Sequence, residues 1–176
     1  ALPEHLMILG GGPIGMELGQ AFRRLGARVT ILEASKPLAR LEPEYAERVV
    51  EALRADGVDI RTDTRVERVE SAGGAITLQL AGGETVSGSH LLVAAGREPV
   101  VDALDLDKAG VRADERGIVC DDKLRTDNKR VYAAGDIAGK GQLTHLAGWH
   151  GSVIVRQLYY GLPTKQSSAA IPQAVY

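Results

Sequence analysis

Cysteine is nearly absent from this sequence. Cys120 is the one thiol among 176 residues, so no internal disulfide can form, and an intracellular, cytoplasmic setting is the expectation. A charge excess of one sign is also missing: the net charge is −2 at pH 7, which gives no basic surface for nucleic acid. No apolar run is long enough to span a membrane. The opening Ala1-Leu2-Pro3-Glu4 has no basic segment leading into an apolar one, so no signal peptide is expected. It has no initiator Met either, and the chain reads as a processed protein or a piece of a longer one. No repeat at solenoid spacing occurs. What remains is a globular composition, 44% hydrophobic and 25% charged, long enough for one ordinary domain or one and a half small ones. It carries 21 glycines, several at positions where a fold needs them.

The hydrophobic periodicity changes along the chain. Leu6 to Leu9 reads as a buried strand, Pro13 to Leu25 as a helix burying Ile14, Leu18, Ala21, Phe22 and Leu25, and Gly26 ends it. Arg28 to Glu33 is a second strand. Pro43 to Ala55 is a second helix with Tyr45, Val49, Ala52 and Leu53 as its stripe, and Val58 to Ile60 is a short third strand. The period then shifts to two. Thr64 to Glu70, Ala75 to Leu80 and Glu84 to Val86 predict antiparallel strands joined at Ala72-Gly73-Gly74 and Gly82-Gly83. Leu91 to Ala94 is again a solid apolar strand. Residues 1–97 therefore predict an α/β unit: a Rossmann-like βαβ domain with an antiparallel β-meander inserted before its last parallel strand. Beyond it, a short helix is expected within Asp102 to Ala109, strands at Ile118 to Asp121 and Val131 to Ala134, and a helix over Thr144 to Tyr160. The last residues, Ala170 to Tyr176, read as the opening of a strand.

Two stretches carry chemistry. In the first, an apolar strand runs into Gly10-Gly11-Gly12-Pro13-Ile14-Gly15, a Gly-x-Gly-x-x-Gly loop followed by a helix and a strand ending in Glu33. Gly10 allows the tight turn, Gly12 lets a pyrophosphate approach the backbone, and Gly15 lets the helix pack on the strand. The N-terminus of the helix, at Pro13 and Ile14, offers free amides and a partial positive charge to the phosphates. Glu33 lies 21 residues beyond Gly12, where a carboxylate accepts hydrogen bonds from the adenosine ribose and repels the extra phosphate of NADP. NAD is therefore expected over NADP, although Lys36 and Arg40 follow closely. A Gly-x-Gly-x-x-Gly alone is a weak signal, and a glycine-rich turn without ligand is the alternative. Here strand, helix, second strand and acid fall in register.

The second stretch is Thr126-Asp127-Asn128-Lys129-Arg130-Val131-Tyr132-Ala133-Ala134-Gly135-Asp136: a polar turn, a short apolar strand, then a glycine and an aspartate with its carboxylate free. It resembles the second FAD fingerprint of flavoproteins that bind two dinucleotides. That resemblance gives Gly135 and Asp136 to the flavin, with Asp136 holding a ribityl hydroxyl. Leu91 to Arg97, including Ala95 and Gly96, resembles the motif linking the NAD and FAD domains of such proteins. Taken with Gly10 to Gly19 and Gly135 to Ala147, these motifs are similar to those of the pyridine nucleotide–disulfide oxidoreductases, and the likeness covers nearly the whole chain.

Several expectations follow from the resemblance. Residues 1–97 would be the NAD(H)-binding domain, 98–165 the C-terminal half of an FAD-binding domain, and 166–176 the start of a dimerisation domain. The chain would be the central portion of an FAD-dependent enzyme that passes hydride between NAD(H) and FAD, and a homodimer is implied for the full protein. Glu33 favours a dihydrolipoyl-dehydrogenase-like branch, while Thr144 to His150 fits mercuric-reductase-like relatives about as well; glutathione-reductase-like enzymes belong to the same family. Glu17 would face the flavin; it is equally an ordinary solvated glutamate in the first turn of a helix. The helix beginning at Leu143-Thr144 would point its positive end at the flavin pyrimidine ring, and it would pack sideways through Leu146, Val153, Ile154 and Leu158. The close cysteine pair, the first FAD loop and the C-terminal His–Glu pair that the family uses are not in this sequence, so the chain alone is expected to be inactive. Cys120 reads as a bystander thiol, and His145 and His150, five apart, do not read as zinc ligands. Two alternatives stand: an NADH-oxidase- or ferredoxin-reductase-like flavoprotein without a redox disulfide, and a non-catalytic NAD-binding module.

Overall fold

The computed structural model describes residues 2–167, 169–172 and 174. The described residues divide into two compact units, one of residues 2–96 with Ala174 and the other of residues 97–172. In the first, β1 (His5–Leu9), α1 (Pro13–Arg24), β2 (Arg28–Leu32), α2 (Pro43–Ala55) and β3 (Asp59–Arg61) alternate. Then come β4 (Val66–Ala72), β5 (Ala75–Leu80), β6 (Thr85–Gly88) and β7 (His90–Val93). The parallel sheet has the order β3-β2-β1-β7, and β4-β5-β6 form a separate antiparallel meander. The fold is thus the Rossmann-like α/β arrangement with the meander inserted before the last parallel strand.

The alternation of the strands puts them in two cores. Leu6, Ile8, Val29 and Ile31 join Met16, Val50, Leu53 and Val58 on the helix side, while Met7 and Leu32 join Leu78, Leu80 and Val86 on the meander side. Successive residues of a strand point to opposite faces, so β1 and β2, mostly apolar apart from His5, Arg28 and Thr30, are buried on both. On the meander side, the buried ring of His5 lies between the Ser87 carbonyl (2.8 Å from Nδ1) and the Thr30 hydroxyl (2.9 Å from Nε2), with Arg28 Nη2 2.7 Å from Nδ1. Burial, and next the Arg28 charge, hold the His5 pKa below 6.5.

The helix faces differ from the expected stripes. Ile14, Leu18 and Leu25 are exposed, and α1 instead buries Gly15, Met16 and Gly19. The reason is close approach. A Cβ on Gly19 would stand 2.9 Å from the Ile31 methyl and 3.3 Å from that of Ile8, so the bare face of the helix is the one that meets the sheet. On α2, Tyr45 is exposed and Val50 takes the expected inner place beside Leu53.

The second unit holds a 3-10 turn (Asp102–Leu104), α3 (Leu106–Ala109), a two-stranded ladder of β8 (Ala113–Asp114) and β9 (Gly117–Ile118), a 3-10 turn (Gly135–Ala138) and α4 (Thr144–Tyr160). Its core is Val111, Ile118, Leu124, Ala133, Ala138 and Val153. Two expected strands are corrected. Ile118 to Asp121 yields only the two-residue β9, and Val131 to Ala134 forms no strand. Tyr132 makes a single bridge to Arg125, because the turn at Asn128 folds this segment back onto the residues just before it. On α4, Leu158 is exposed and His150 is buried in its stead. The strand expected over 170–176 falls in part on 173, 175 and 176, outside the described residues; Ala170 lies in a turn, and Ile171, Pro172 and Ala174 join no strand.

Candidate functional site

In the first unit the glycine loop crosses the carboxyl ends of the parallel strands. It is tied down on the β2 side by Gly10 N to Leu32 O (2.9 Å) and Leu38 N to Gly11 O (2.9 Å). The latter bond is made by a buried leucine in the left-handed region, φ 51°, a conformation costing about 1–2 kcal/mol outside glycine.

The three motif glycines serve different ends. Gly10 has φ 111°, and a Cβ there would sit 2.5 Å from the Ala94 carbonyl oxygen. A Cβ on Gly15 would run into the Gly10 carbonyl. Both are demanded by the fold. Gly12 is not: its φ is −78°, open to any L-residue, and a Cβ would meet nothing within 4 Å. It is the N-cap of α1 and makes no side-chain cap. Pro13 follows at the first helical position, and the first i→i−4 bond runs from Met16 N to Gly12 O (3.0 Å), so the amides of Ile14 and Gly15 precede the hydrogen-bond ladder. The first turn of the helix contains no acid of its own to offset the positive end of the helix dipole.

Glu33, half-buried, turns toward this loop. Its Oε2 accepts from Gly11 N at 2.7 Å, and its Oε1 accepts from Ser35 N (2.9 Å) and Ser35 Oγ (3.0 Å). A carboxylate offers about four acceptor positions, so three are engaged by the protein itself. Ala95 and Gly96 follow β7 and are exposed. Ala94 N bonds Leu9 O (2.8 Å), which sets this stretch against the strand end next to Gly10. Glu17 lies in the second turn of α1 rather than the first, half-buried.

In the second unit, Thr126 is buried and its hydroxyl donates to Asn128 O (2.9 Å). Thr126 N bonds Val131 O, and Asn128 Nδ2 donates to Ala109 O (2.7 Å), so the polar turn is locked from three sides. Gly135 (φ 75°) opens the 3-10 turn. Asp136 is not at a strand end and its carboxylate is not free: Arg97 Nη1 lies 3.5 Å from Oδ2, both side chains about half exposed. Leu143 is the N-cap of α4, again without a side-chain cap, and exposed Thr144 begins the helix.

The residue the sequence left unassigned here is His150. Its ring is fully buried, Gly135 N donates to Nδ1 at 3.1 Å, and Nε2 finds no partner among the described residues. Burial, then the Lys140 charge, push its pKa below the usual histidine value. Only its spacing from Gly135 could have signalled it, and no periodicity encodes that. Burial raises the Cys120 thiol pKa, and its Sγ points to the Ala138 carbonyl (3.7 Å). Among the described residues no group of three or more His, Cys, Asp or Glu could hold a metal ion, and no helix is long and apolar enough to cross a membrane.

Residues 1–151 match the profile of the family described as pyridine nucleotide-disulphide oxidoreductase. The chain is 38% identical over 179 residues to a mercuric reductase of Streptomyces lividans, covering 99% of this chain and 38% of that protein. It is 35% identical over 185 residues to the dihydrolipoyl dehydrogenase of Haloferax volcanii, covering 99% and 38%. Among solved structures, the HOCl-induced flavoprotein disulfide reductase RclA of Escherichia coli superposes with a TM-score of 0.87 at 32% identity, over 96% of this chain and 38% of that one. LpdA of Mycobacterium tuberculosis gives 0.91 at 26% identity, over 100% and 39%. The chain thus spans under two-fifths of the length of each of these relatives.

Proposed function

This chain belongs to the pyridine nucleotide-disulphide oxidoreductase family, and from there we propose that it is the NAD(H)-binding central portion of an FAD-dependent disulfide oxidoreductase. The observation that carries this reading is Gly12. It is a glycine with an ordinary backbone and empty space above its Cα, at the uncapped mouth of a helix. Nothing in the fold calls for glycine there, whereas a pyrophosphate resting on bare main chain does. The adjoining acid, Glu33, is assigned the adenosine ribose, with its remaining acceptor capacity and its charge directed against a 2′-phosphate. Ala95 and Gly96 close the same strand-end crevice.

The second unit has features that suit a flavin. The left-handed Gly135 leaves the turn without a side chain, Asp136 is half exposed, and α4 begins with an uncapped N-terminus at Leu143-Thr144. A flavin, when bound, supplies the hydride chemistry that joins the nicotinamide to a sulfur substrate. The chain's own residues hold and orient. Asp136 would exchange its exposed Arg97 contact for a ribityl hydroxyl, and the α4 amides would stabilise negative charge near the ring. Glu17 is assigned to the flavin side of α1. Of the family's branches, the acid at Glu33 favours a dihydrolipoyl-dehydrogenase-like enzyme; the 38% identity to the Streptomyces lividans protein favours a mercuric-reductase-like one. For the full protein we propose a homodimer, and a cytoplasmic location suits its single free thiol, Cys120.

Isothermal titration of the purified chain tests the core of this reading. NADH should bind, NADPH at least about tenfold more weakly, and lipoamide should not turn over, since one cysteine cannot form a redox disulfide within the chain. Failure of NADH to bind, or tighter binding of NADPH, overturns it.

A further inference from the structure

We propose that His150 is a positioning residue for flavin retention, its Nδ1 clamping the Gly135–Ala138 turn against α4. The inference rests on the assignment of Asp136 and the α4 N-terminus to the flavin made above. The ring is fully buried, and Gly135 N donates to Nδ1 at 3.1 Å across fifteen residues of chain. A backbone N–H only donates, so Nδ1 is unprotonated and the proton sits on Nε2. That Nε2 is buried with no partner among the described residues, which is unfavourable. A leucine or phenylalanine would fill the site without leaving such a group, so packing gives no reason for histidine here. The acceptor at Nδ1 does.

The clamp also links two parts of one site. Gly135 adjoins Asp136 in the chain, and a Cβ on Gly135 would already stand 3.3 Å from the Ala147 Cβ of α4. The turn and the first turns of the helix therefore touch, and the His150 bond fixes their spacing. It sets where the Asp136 carboxylate stands relative to the amides at Leu143 and Thr144. A second proton on the ring would place N–H against N–H and open the clamp. The charged group acting on the ring is Lys140, just past the turn, which repels such a proton. In the turn, the Asp136 carboxylate is engaged by Arg97 at 3.5 Å. On α4, His145 and Arg156 lie five and six residues away, off the i±4 face.

The test is the rate of FAD release from the intact flavin-loaded protein that carries this chain, read by flavin fluorescence on dilution, for wild type, His150→Phe and His150→Asn. Asparagine keeps an acceptor where Nδ1 stands. At about pH 7.5, His150→Phe should release FAD roughly tenfold faster and His150→Asn within about threefold of wild type. As the pH falls below 6.5 the wild-type rate should climb, while that of His150→Asn stays flat. Equal rates for wild type and His150→Phe, or a wild-type pH response kept in His150→Asn, overturn the proposal. If His150→Phe does not fold, the two pH profiles decide. Hydrogen exchange at the Gly135 amide, measured without flavin, separates the two layers. If wild type takes up no FAD, the flavin assignment falls and the retention role with it, even where His150→Phe unprotects Gly135. If Gly135 protection is unchanged in His150→Phe, the clamp itself is refuted.

Discussion

Alanine at Gly12 and alanine at Gly10 should behave in opposite ways. Gly12 has φ −78° and ψ −179°, which alanine adopts freely, and its new methyl would touch nothing within 4 Å. Gly12→Ala should therefore leave the fold intact and shift its stability by less than about 1 kcal/mol, since the lost freedom of the unfolded chain favours alanine while the N-cap position favours glycine. The same methyl would stand where a pyrophosphate must approach the helix amides. Each charge-assisted hydrogen bond lost there is worth about 1.5–3 kcal/mol, which makes NADH binding roughly 10- to 150-fold weaker. Gly10→Ala meets the reverse situation. At φ 111° a side chain is strained, and its Cβ would lie 2.5 Å from the Ala94 carbonyl oxygen, a backbone atom that cannot swing away. It should cost at least about 2 kcal/mol of stability. Denaturant midpoints read the first quantity and NADH titration the second. A Gly12→Ala protein that unfolds as early as Gly10→Ala, or that binds NADH as wild type does, would refute the reasoning.

Glu33 has two duties that two substitutions pull apart. Glu33→Ala removes the acceptor for Gly11 N (2.7 Å) and should loosen the loop by about 1–2 kcal/mol in denaturant stability. Glu33→Gln keeps one acceptor, for Gly11 N or for Ser35 but not for both, and loses the charge, so it should cost less stability than Glu33→Ala while the gap between NADH and NADPH narrows roughly tenfold by calorimetry; an unchanged gap counts against the acid as the discriminator. His5 sets an acid limit. Burial and the neighbouring Arg28 lower its folded-state pKa below the 6.5 of the unfolded chain, so below 6.5 the unfolded chain takes up the proton more readily. Stability should be full above 6.5 and fall as the pH drops below it, and replacing His5 by Gln should lessen the response, leaving the share of buried His150, whose pKa is lowered in the same sense. A denaturant midpoint that stays level between about pH 7.5 and 5.5 contradicts this linkage.

Much of the first unit was legible because its signals are local. Strand into Gly-x-Gly-x-x-Gly, helix, then strand into acid is a short-range pattern, and the meander announced itself by its change of period and by Gly73-Gly74 and Gly82-Gly83. The inner face of α1 was legible only at Gly15, expected from the motif to let the helix pack on the strand. Periodicity counts apolar side chains, whereas this helix meets the sheet through Gly15 and Gly19, which carry none, and leaves Ile14 and Leu18 outside. In the second unit, Val131 to Ala134 has strand-like composition but no long partner, so it closes into a turn with one bridge at Tyr132. The contacts of Asp136 with Arg97 and of Gly135 with His150 span 39 and 15 residues, and no spacing rule reaches that far.

The three-stranded meander does for one side of the parallel sheet what helices do for the other. With Met7 and Leu32 roofed by Leu78, Leu80 and Val86, the central strands β1 and β2 are covered on both broad surfaces. On the reading proposed above, a nucleotide is left to the rim where the strands finish. Sequence drift among the hairpins is then free to reshape the outer wall of the domain without rewriting what the rim selects.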